Sequence, residues 1–215
     1  MNRVLSSRWA KAAVFLLALS PLLALLWGAF VERDLGANPL EYITHYTGDW
    51  TLRFLLITLT VTPLRMLLNR PALTRFRRML GLFAFFYGCL HLLTWLWFDR
   101  RFSFSGMIED VAERVYITVG MAGYLGMLPL AITSTAGWVR RLGFKRWQRL
   151  HRLIYFSAAA GVVHYYWLVK SDVRLPLMYG AILTALLAVR VVSWLRKPKP
   201  AKKPSGAGPR PAAAS

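Results

Sequence analysis

Acidic residues and thiols are what this sequence has least of. Nine Asp and Glu stand against 28 Lys and Arg, and one cysteine, Cys89, sits inside an apolar run. A single thiol excludes a disulfide framework, a cysteine-based zinc site and an iron–sulfur cluster. Cys89 therefore reads as a small packing residue. Polar sequence is scarce too: 56% of the 215 residues are hydrophobic, above the roughly 45–50% of soluble domains. The excess points to a membrane rather than to a large soluble core. A net charge of +19 would suggest nucleic acid in a soluble protein, so the placement of that charge has to be settled first.

Six stretches are long and apolar enough to span: Ala12–Phe30, Thr51–Leu68, Met79–Phe98, Val115–Thr133, Leu153–Val169 and Leu175–Leu195. A crossing needs about 20 such residues, with a range near 17–25. The expected fold is an all-α membrane protein, a six-transmembrane-helix bundle with cytoplasmic N- and C-termini. In that arrangement only seven basic residues (Arg33, Arg53, Arg100, Arg101, Arg114, Lys170 and Arg174) face outward, against the remaining 21 of 28. All nine acidic residues, from Glu32 to Asp172, lie on the outward side. Lys and Arg collect on the cytoplasmic face, so the +19 charge is a topology signal and nucleic acid is not the expected partner. Residues 1–11 form the cytoplasmic N-terminus and 12–196 the transmembrane domain. Residues 197–215, rich in Pro, Lys, Gly and Ala, are expected to be a disordered basic tail near the inner leaflet.

Several features along the chain have ordinary readings. Arg3, Arg8 and Lys11 precede the first apolar run as in a signal peptide, but the run is long and no A-x-A-like site follows, so an uncleaved helix is expected. His45 falls in an outer loop and reads as polar surface. Pro63 follows Thr58, Thr60 and Thr62, where hydroxyls and neighbouring helices can recover the freed backbone groups. Arg75, Arg77 and Arg78 read as topology and headgroup contacts, or one of them as a partner for a cofactor carboxylate. Gly120, Gly123 and Gly126 permit close helix contact.

Two histidines do not fit an apolar setting. His91 lies in FAFFYGCLHLLTWLW and His164 in YFSAAAGVVHYYWLV; ionisable residues at such depth are costly and mark function. Each closes a pattern of small residues at −7 and −3, Ala84 and Gly88 before His91, Ser157 and Gly161 before His164. Those positions share a helix face, giving two shallow grooves that each lead to one imidazole. Counted from the outer ends of their helices, the pair sits at depths of about 12 and 9 Å at 1.5 Å per residue. Neutral imidazole is a good iron ligand, and bundles build cofactor sites from facing helices. The reading is a bis-histidine haem. The rival reading has both histidines hydrogen-bonded to neighbouring helices without a cofactor. His151, 13 residues before His164 and about 220° around a regular helix, does not share its face. It would ligate a second haem, meet a carboxylate or bind headgroups; the site is therefore read as one haem, or two if His151 also ligates.

These residues resemble a known family. TGDW at 47–50, TLTVTPLR at 58–65, RRMLGLFAFFYGCLH at 77–91 and KRWQRLHRLIYFSAAAGVVHYYWLVK at 145–170 are similar to the MsrQ (YedZ) family. These are the haem-binding membrane subunits of periplasmic methionine sulfoxide reductase systems, within the ferric-reductase-like transmembrane superfamily. The resemblance implies a b-type cytochrome of the bacterial inner membrane that takes electrons from the quinone pool. It implies delivery to a periplasmic molybdopterin-containing subunit that repairs oxidised methionine, with FMN as a further cofactor whose site the sequence does not place. Carried over, the haem histidines are His91, His151 and His164. On this reading the chain is an electron-transfer subunit and not itself the catalyst. The wider superfamily carries two histidine pairs and a cytoplasmic flavin–nicotinamide domain; neither is expected here, since the tail after Arg196 has no GxGxxG and no strand pattern. A stand-alone ferric or cupric reductase is the alternative within the superfamily, and a haem-free structural or transport protein the alternative outside it.

Overall fold

A computed structural model describes residues 7–196; residues 1–6 and the expected disordered tail, 197–215, lie outside the described residues. In chain order the helices are α1 (Arg8–Trp27), α2 (Pro39–Leu67), α3 (Thr74–Thr94), α4 (Phe104–Glu113), α5 (Val115–Ile132), α6 (Ala136–Leu142), α7 (Phe144–Leu150), α8 (Leu153–Leu168) and α9 (Arg174–Leu195). Single π-helical turns, Gly28–Glu32 and Trp95–Asp99, extend α1 and α3.

Among the described residues, five helical stretches are long and apolar enough to cross a membrane: Arg8–Glu32, Pro39–Leu67, Pro71–Phe98, Val115–Ile132 and Arg174–Leu195. The sixth expected span forms α8, whose 16 residues measure about 24 Å at 1.5 Å per residue, short of the roughly 30 Å hydrocarbon core. The other difference is at α2, which starts at Pro39 rather than near Thr51. Asn38 caps it by accepting from the Glu41 amide, and Pro39 occupies the first helical turn, where a missing N–H costs nothing. The segment expected as a loop around His45 is therefore helix.

Two helix pairs carry the architecture. α2 packs along α3, and α5 along α8; α9 leans on α8 and α2, and α1 on α3. The α2–α3 core is aromatic: Phe54 stacks on Tyr87 with centroids 5.3 Å apart and planes 9° from parallel, and Phe83 joins at 5.8 Å. The outer surface carries exposed leucines, valines and tryptophans such as Leu17, Leu67, Trp97 and Val191, as a lipid-facing surface requires.

At two prolines inside the spans, side chains answer the carbonyl that the ring leaves free. Pro63 has no N–H for the Leu59 carbonyl one turn back, and Arg190 on α9 donates Nη2 to that carbonyl at 2.6 Å. In α1, Pro21 frees the Leu17 carbonyl, which accepts from Ser20 Oγ at 2.9 Å. One residue on, the Tyr87 hydroxyl enters the ladder, accepting from the Leu22 amide at 3.1 Å and donating to the Ala18 carbonyl at 3.0 Å. Tyr87 is fully buried and thereby locks α1 onto α3.

Candidate cofactor cavity

Between the two helix pairs lies a cavity of about 530 Å³. One histidine enters it from each pair, His91 from α3 and His164 from α8, with ring centres 6.1 Å apart and planes at 74°.

The two rings are held by the same local device. His91 Nδ1 lies 2.9 Å from the Thr44 carbonyl of α2, and His164 Nδ1 lies 2.7 Å from the Tyr116 carbonyl of α5. A carbonyl can only accept, so both rings carry their proton on Nδ1 and leave the Nε2 lone pair free. Among the described residues neither Nε2 has a hydrogen-bond partner. Four residues after each carbonyl stands a glycine, Gly48 and Gly120. Side chains on a helix lean toward its N-terminus, so a Cβ at that position would cover the carbonyl one turn back. A Cβ on Gly48 would meet His91 Cε1 at 3.0 Å, and one on Gly120 would meet His164 Nδ1 at 2.7 Å. The glycines are the seats of the rings.

Of the small residues expected to form the grooves, Gly88, Gly161 and Ser157 line the cavity. Ala84 does not: it is fully buried in the hydrophobic core, because α3 turns that position toward packed protein. Ser157 Oγ is buried without a hydrogen-bond partner. Gly120, expected only to bring helices together, and Gly48, Thr44 and Tyr116, to which no role was expected, form the ring-holding apparatus. The available signal was a glycine one turn after the accepting carbonyl, legible only once the paired helix is known.

The charges around the cavity are mostly answered locally. Asp49 pairs with Arg53 at 3.3 Å, whose Nε donates to the Tyr179 hydroxyl at 2.8 Å. Glu41 accepts from Asn38 Nδ2 at 2.9 Å. His45 lines the mouth and is exposed. Arg75, Arg77 and Arg78, expected as possible carboxylate partners, are absent from the cavity lining; Arg75 instead borders a shallow groove with Arg8 and Lys11.

His151 is placed elsewhere. It caps α7, stacks on Trp147 with ring centres 3.9 Å apart, and its Nδ1 lies 3.1 Å from the Trp147 carbonyl. Its Nε2 is sealed from solvent, and the backbone of Leu130 lies near the ring without completing a well-formed hydrogen bond to that nitrogen. Burial pushes its pKa below the ordinary imidazole value, and the nearby Arg77 adds to that. The fold does not bring it to the cavity of His91 and His164.

Comparison with known proteins bears directly on this cavity. Residues 47–162 match the family described as ferric reductase like transmembrane component. The MsrQ heme-binding subunit of protein-methionine-sulfoxide reductase from Herminiimonas arsenicoxydans is 51% identical over 192 residues, covering 88% of each chain. Its counterpart in Rhodospirillum rubrum is 50% identical over 199 residues, covering 92% of this chain and 95% of the relative. The chain belongs to the MsrQ family. The ferric-reductase-like match contains His91 and His151 and ends two residues before His164, while the MsrQ relatives match over most of the chain. MsrQ relatives are named as haem-binding subunits.

Proposed function

We propose that this MsrQ-family chain is a haem b electron-transfer subunit, with His91 and His164 as the residues that would hold one haem in the cavity between the two helix pairs. The observation that carries the reading is the pair of imidazoles, each fixed by a backbone carbonyl at Nδ1 and open at Nε2, facing one cavity. The residues fit the group. Two imidazoles of the kind that ligate iron come from facing helices with ring centres 6.1 Å apart and would hold the group between them. The volume, about 530 Å³, falls within the roughly 300–1,000 Å³ of cofactor sites.

Bound there, haem would supply a one-electron carrier whose potential follows its ligands and surroundings. The chain supplies the rest. The Thr44 and Tyr116 carbonyls fix the tautomer and raise the basicity of Nε2. Leu52, Leu55 and Met127 on the cavity wall keep water from the iron ligands. Gly48 and Gly120 let both rings approach their carbonyls.

The wider reading follows the family resemblance and the charge pattern. It is a six-span protein of the bacterial inner membrane with both termini cytoplasmic and residues 12–196 as the haem-binding domain. Electrons pass from the quinone pool to a periplasmic molybdopterin-containing methionine sulfoxide reductase. The lopsided Lys/Arg distribution supports that orientation. FMN belongs to this reading through the family alone, without assigned residues. His151 is the third ligand candidate, for a second haem, through the family resemblance.

The test is a reduced-minus-oxidised optical spectrum with haem quantified per chain, for the parent protein and for His91→Ala, His164→Ala and His151→Ala. The expected result is a b-type spectrum lost at the cavity in the first two variants. A colourless parent protein, made with haem available, sinks the reading.

A further inference from the structure

Away from the cavity, the short helix α4 between α3 and α5 has a surface that packing inside the protein does not explain. Successive helical residues turn by about 100°, and in α4 that turn sorts the side chains into three strips. Asp110 and Met107 face the protein: Asp110 is 3% exposed, Arg100 grips its carboxylate with Nε and Nη2 together, and Met107 is half-buried. Glu109 and Glu113 form a second strip and are exposed. Phe104, Ile108 and Ala112 form the third. It is apolar and equally bare, with Phe104 80% and Ile108 69% exposed.

That apolar strip is not isolated. The chain leaves α3 through the turn Trp95–Asp99 and reverses at Arg101 and Phe102, whose φ angles are 44° and 59°. Bulky side chains rarely adopt that conformation. Here it sets the exposed Phe102 ring beside Trp97, with centroids 6.2 Å apart, and Phe104 opens α4 two residues later. Trp97 belongs to the lipid-facing surface at the end of α3, so the bare strip continues a surface that already meets lipid. A helix surrounded by water on its open sides would turn polar residues to both of them. A helix lying flat at a membrane–water boundary, against the side of a bundle, needs one strip for protein, one for water and one for lipid. Aromatic residues also collect at that boundary.

We propose that α4 is an interfacial helix in the plane of the membrane surface, with Phe102, Phe104 and Ile108 in the boundary between headgroups and acyl chains and Glu109 and Glu113 toward water. The partner is lipid, recognised by apolar burial; the polar strip is acidic, so anionic headgroups add no attraction. The contact bears on the cavity because α4 is tied to the start of α5. The Thr118 hydroxyl donates to the Val111 carbonyl, and the Arg114 amide donates to the Asp110 carbonyl at 2.9 Å. Two residues later the Tyr116 carbonyl holds the His164 ring. The membrane surface thereby sets the depth of the segment that holds that ring. The inference requires a bilayer and stands apart from the haem reading. The rival occupant of the strip is a docking protein.

The test places nitroxide spin labels on full-length protein in phosphatidylcholine vesicles, one at a time, through Phe104→Cys, Ile108→Cys, Glu109→Cys and Glu113→Cys in a Cys89→Ala background. Collisions are measured with molecular oxygen, which concentrates in lipid, and with a neutral water-soluble nickel chelate. The oxygen-to-nickel ratio is expected to be severalfold higher at 104 and 108 than at 109 and 113, and to stay so when phosphatidylglycerol is added. Ile108→Cys carries the test if Phe104→Cys does not fold. Equal nickel access at all four positions overturns the proposal and leaves the strip open for a protein partner. Labels at 104 and 108 shielded from both reagents overturn it as well, since a protein surface would then cover the strip. A high ratio that appears only with phosphatidylglycerol overturns recognition by apolar burial.

Discussion

His164, near the end of α8, and His151, just before its start, are held in opposite ways. His164 has a carbonyl partner for Nδ1, a glycine seat, and cavity space beside Nε2. His151 also has a carbonyl partner for Nδ1, but it lies flat on Trp147 and its Nε2 is sealed in packed protein. The first environment is prepared for something to be added. The second is complete as a packing arrangement apart from one unanswered nitrogen. A buried polar atom without a partner costs about 1–3 kcal/mol, so the same chemical feature reads as a ligand site where there is room and as a local cost where there is none. His91 repeats the first arrangement on α3, against Thr44 and Gly48 of α2.

The largest effect that separates these ends is expected from substitutions filling the ring seats. Gly120→Ala places a Cβ 2.7 Å from His164 Nδ1, and Gly48→Ala places one 3.0 Å from His91 Cε1. Each should push its ring off the carbonyl and cost about 1–3 kcal/mol of stability from overpacking, with Gly120→Ala the worse of the two. Haem content per chain should fall in both. Retention of full haem content in Gly120→Ala would show that ring placement there is not required.

Much of the cavity was legible in the sequence, and the part that was not has a definite cause. His91 and His164 stand out because an ionisable residue in a lipid-spanning run is costly wherever the helix points. Gly88 and Gly161 follow from periodicity on the same helix. Gly48 and Thr44 were hidden because α2 begins at Pro39, so that residues expected in an outer loop are helical and lie against His91. Ala84 failed as a groove residue because periodicity gives a face but not the partner of that face; it sits in the packed hydrophobic core, not in the cavity wall. Chain order likewise says nothing about which arginine reaches the mouth. Arg75, Arg77 and Arg78 were the expected candidates, yet Arg114 lines it.

A smaller effect is expected far from the cavity, where α9 repairs α2. Arg190→Gln removes the donor to the Leu59 carbonyl, which Pro63 leaves unpaired, and should destabilise the protein by about 1 kcal/mol. Pro63→Ala restores an N–H to the helix and gives that carbonyl an intrahelical partner. In the Pro63→Ala background the Arg190→Gln penalty should therefore shrink by at least half, a coupling that thermal unfolding of the four proteins in detergent would reveal. Additive penalties would mean that Arg190 stabilises the bundle through its contact with the Tyr155 ring, 5.3 Å away, and not through the proline gap.

The smallest effect should come from His151→Phe, which tests whether this end of α8 is packing alone. A phenyl ring can keep the stack on Trp147 while removing the unpartnered Nε2, so at pH 8 the change should be near neutral. The pH dependence carries the sign. Burial holds the folded-state pKa of His151 below its value of 6.5 in the unfolded chain, so protons favour the unfolded state. The stability gained from the neutral ring is present above 6.5 and is lost as the pH falls through the folded-state pKa. His151→Phe removes this loss, and its thermal midpoint should rise relative to the parent between pH 6.5 and 5. Haem lost on making this substitution, with the cavity histidines intact, would instead make His151 a ligand and put a second cofactor at the end of the helix that now looks full.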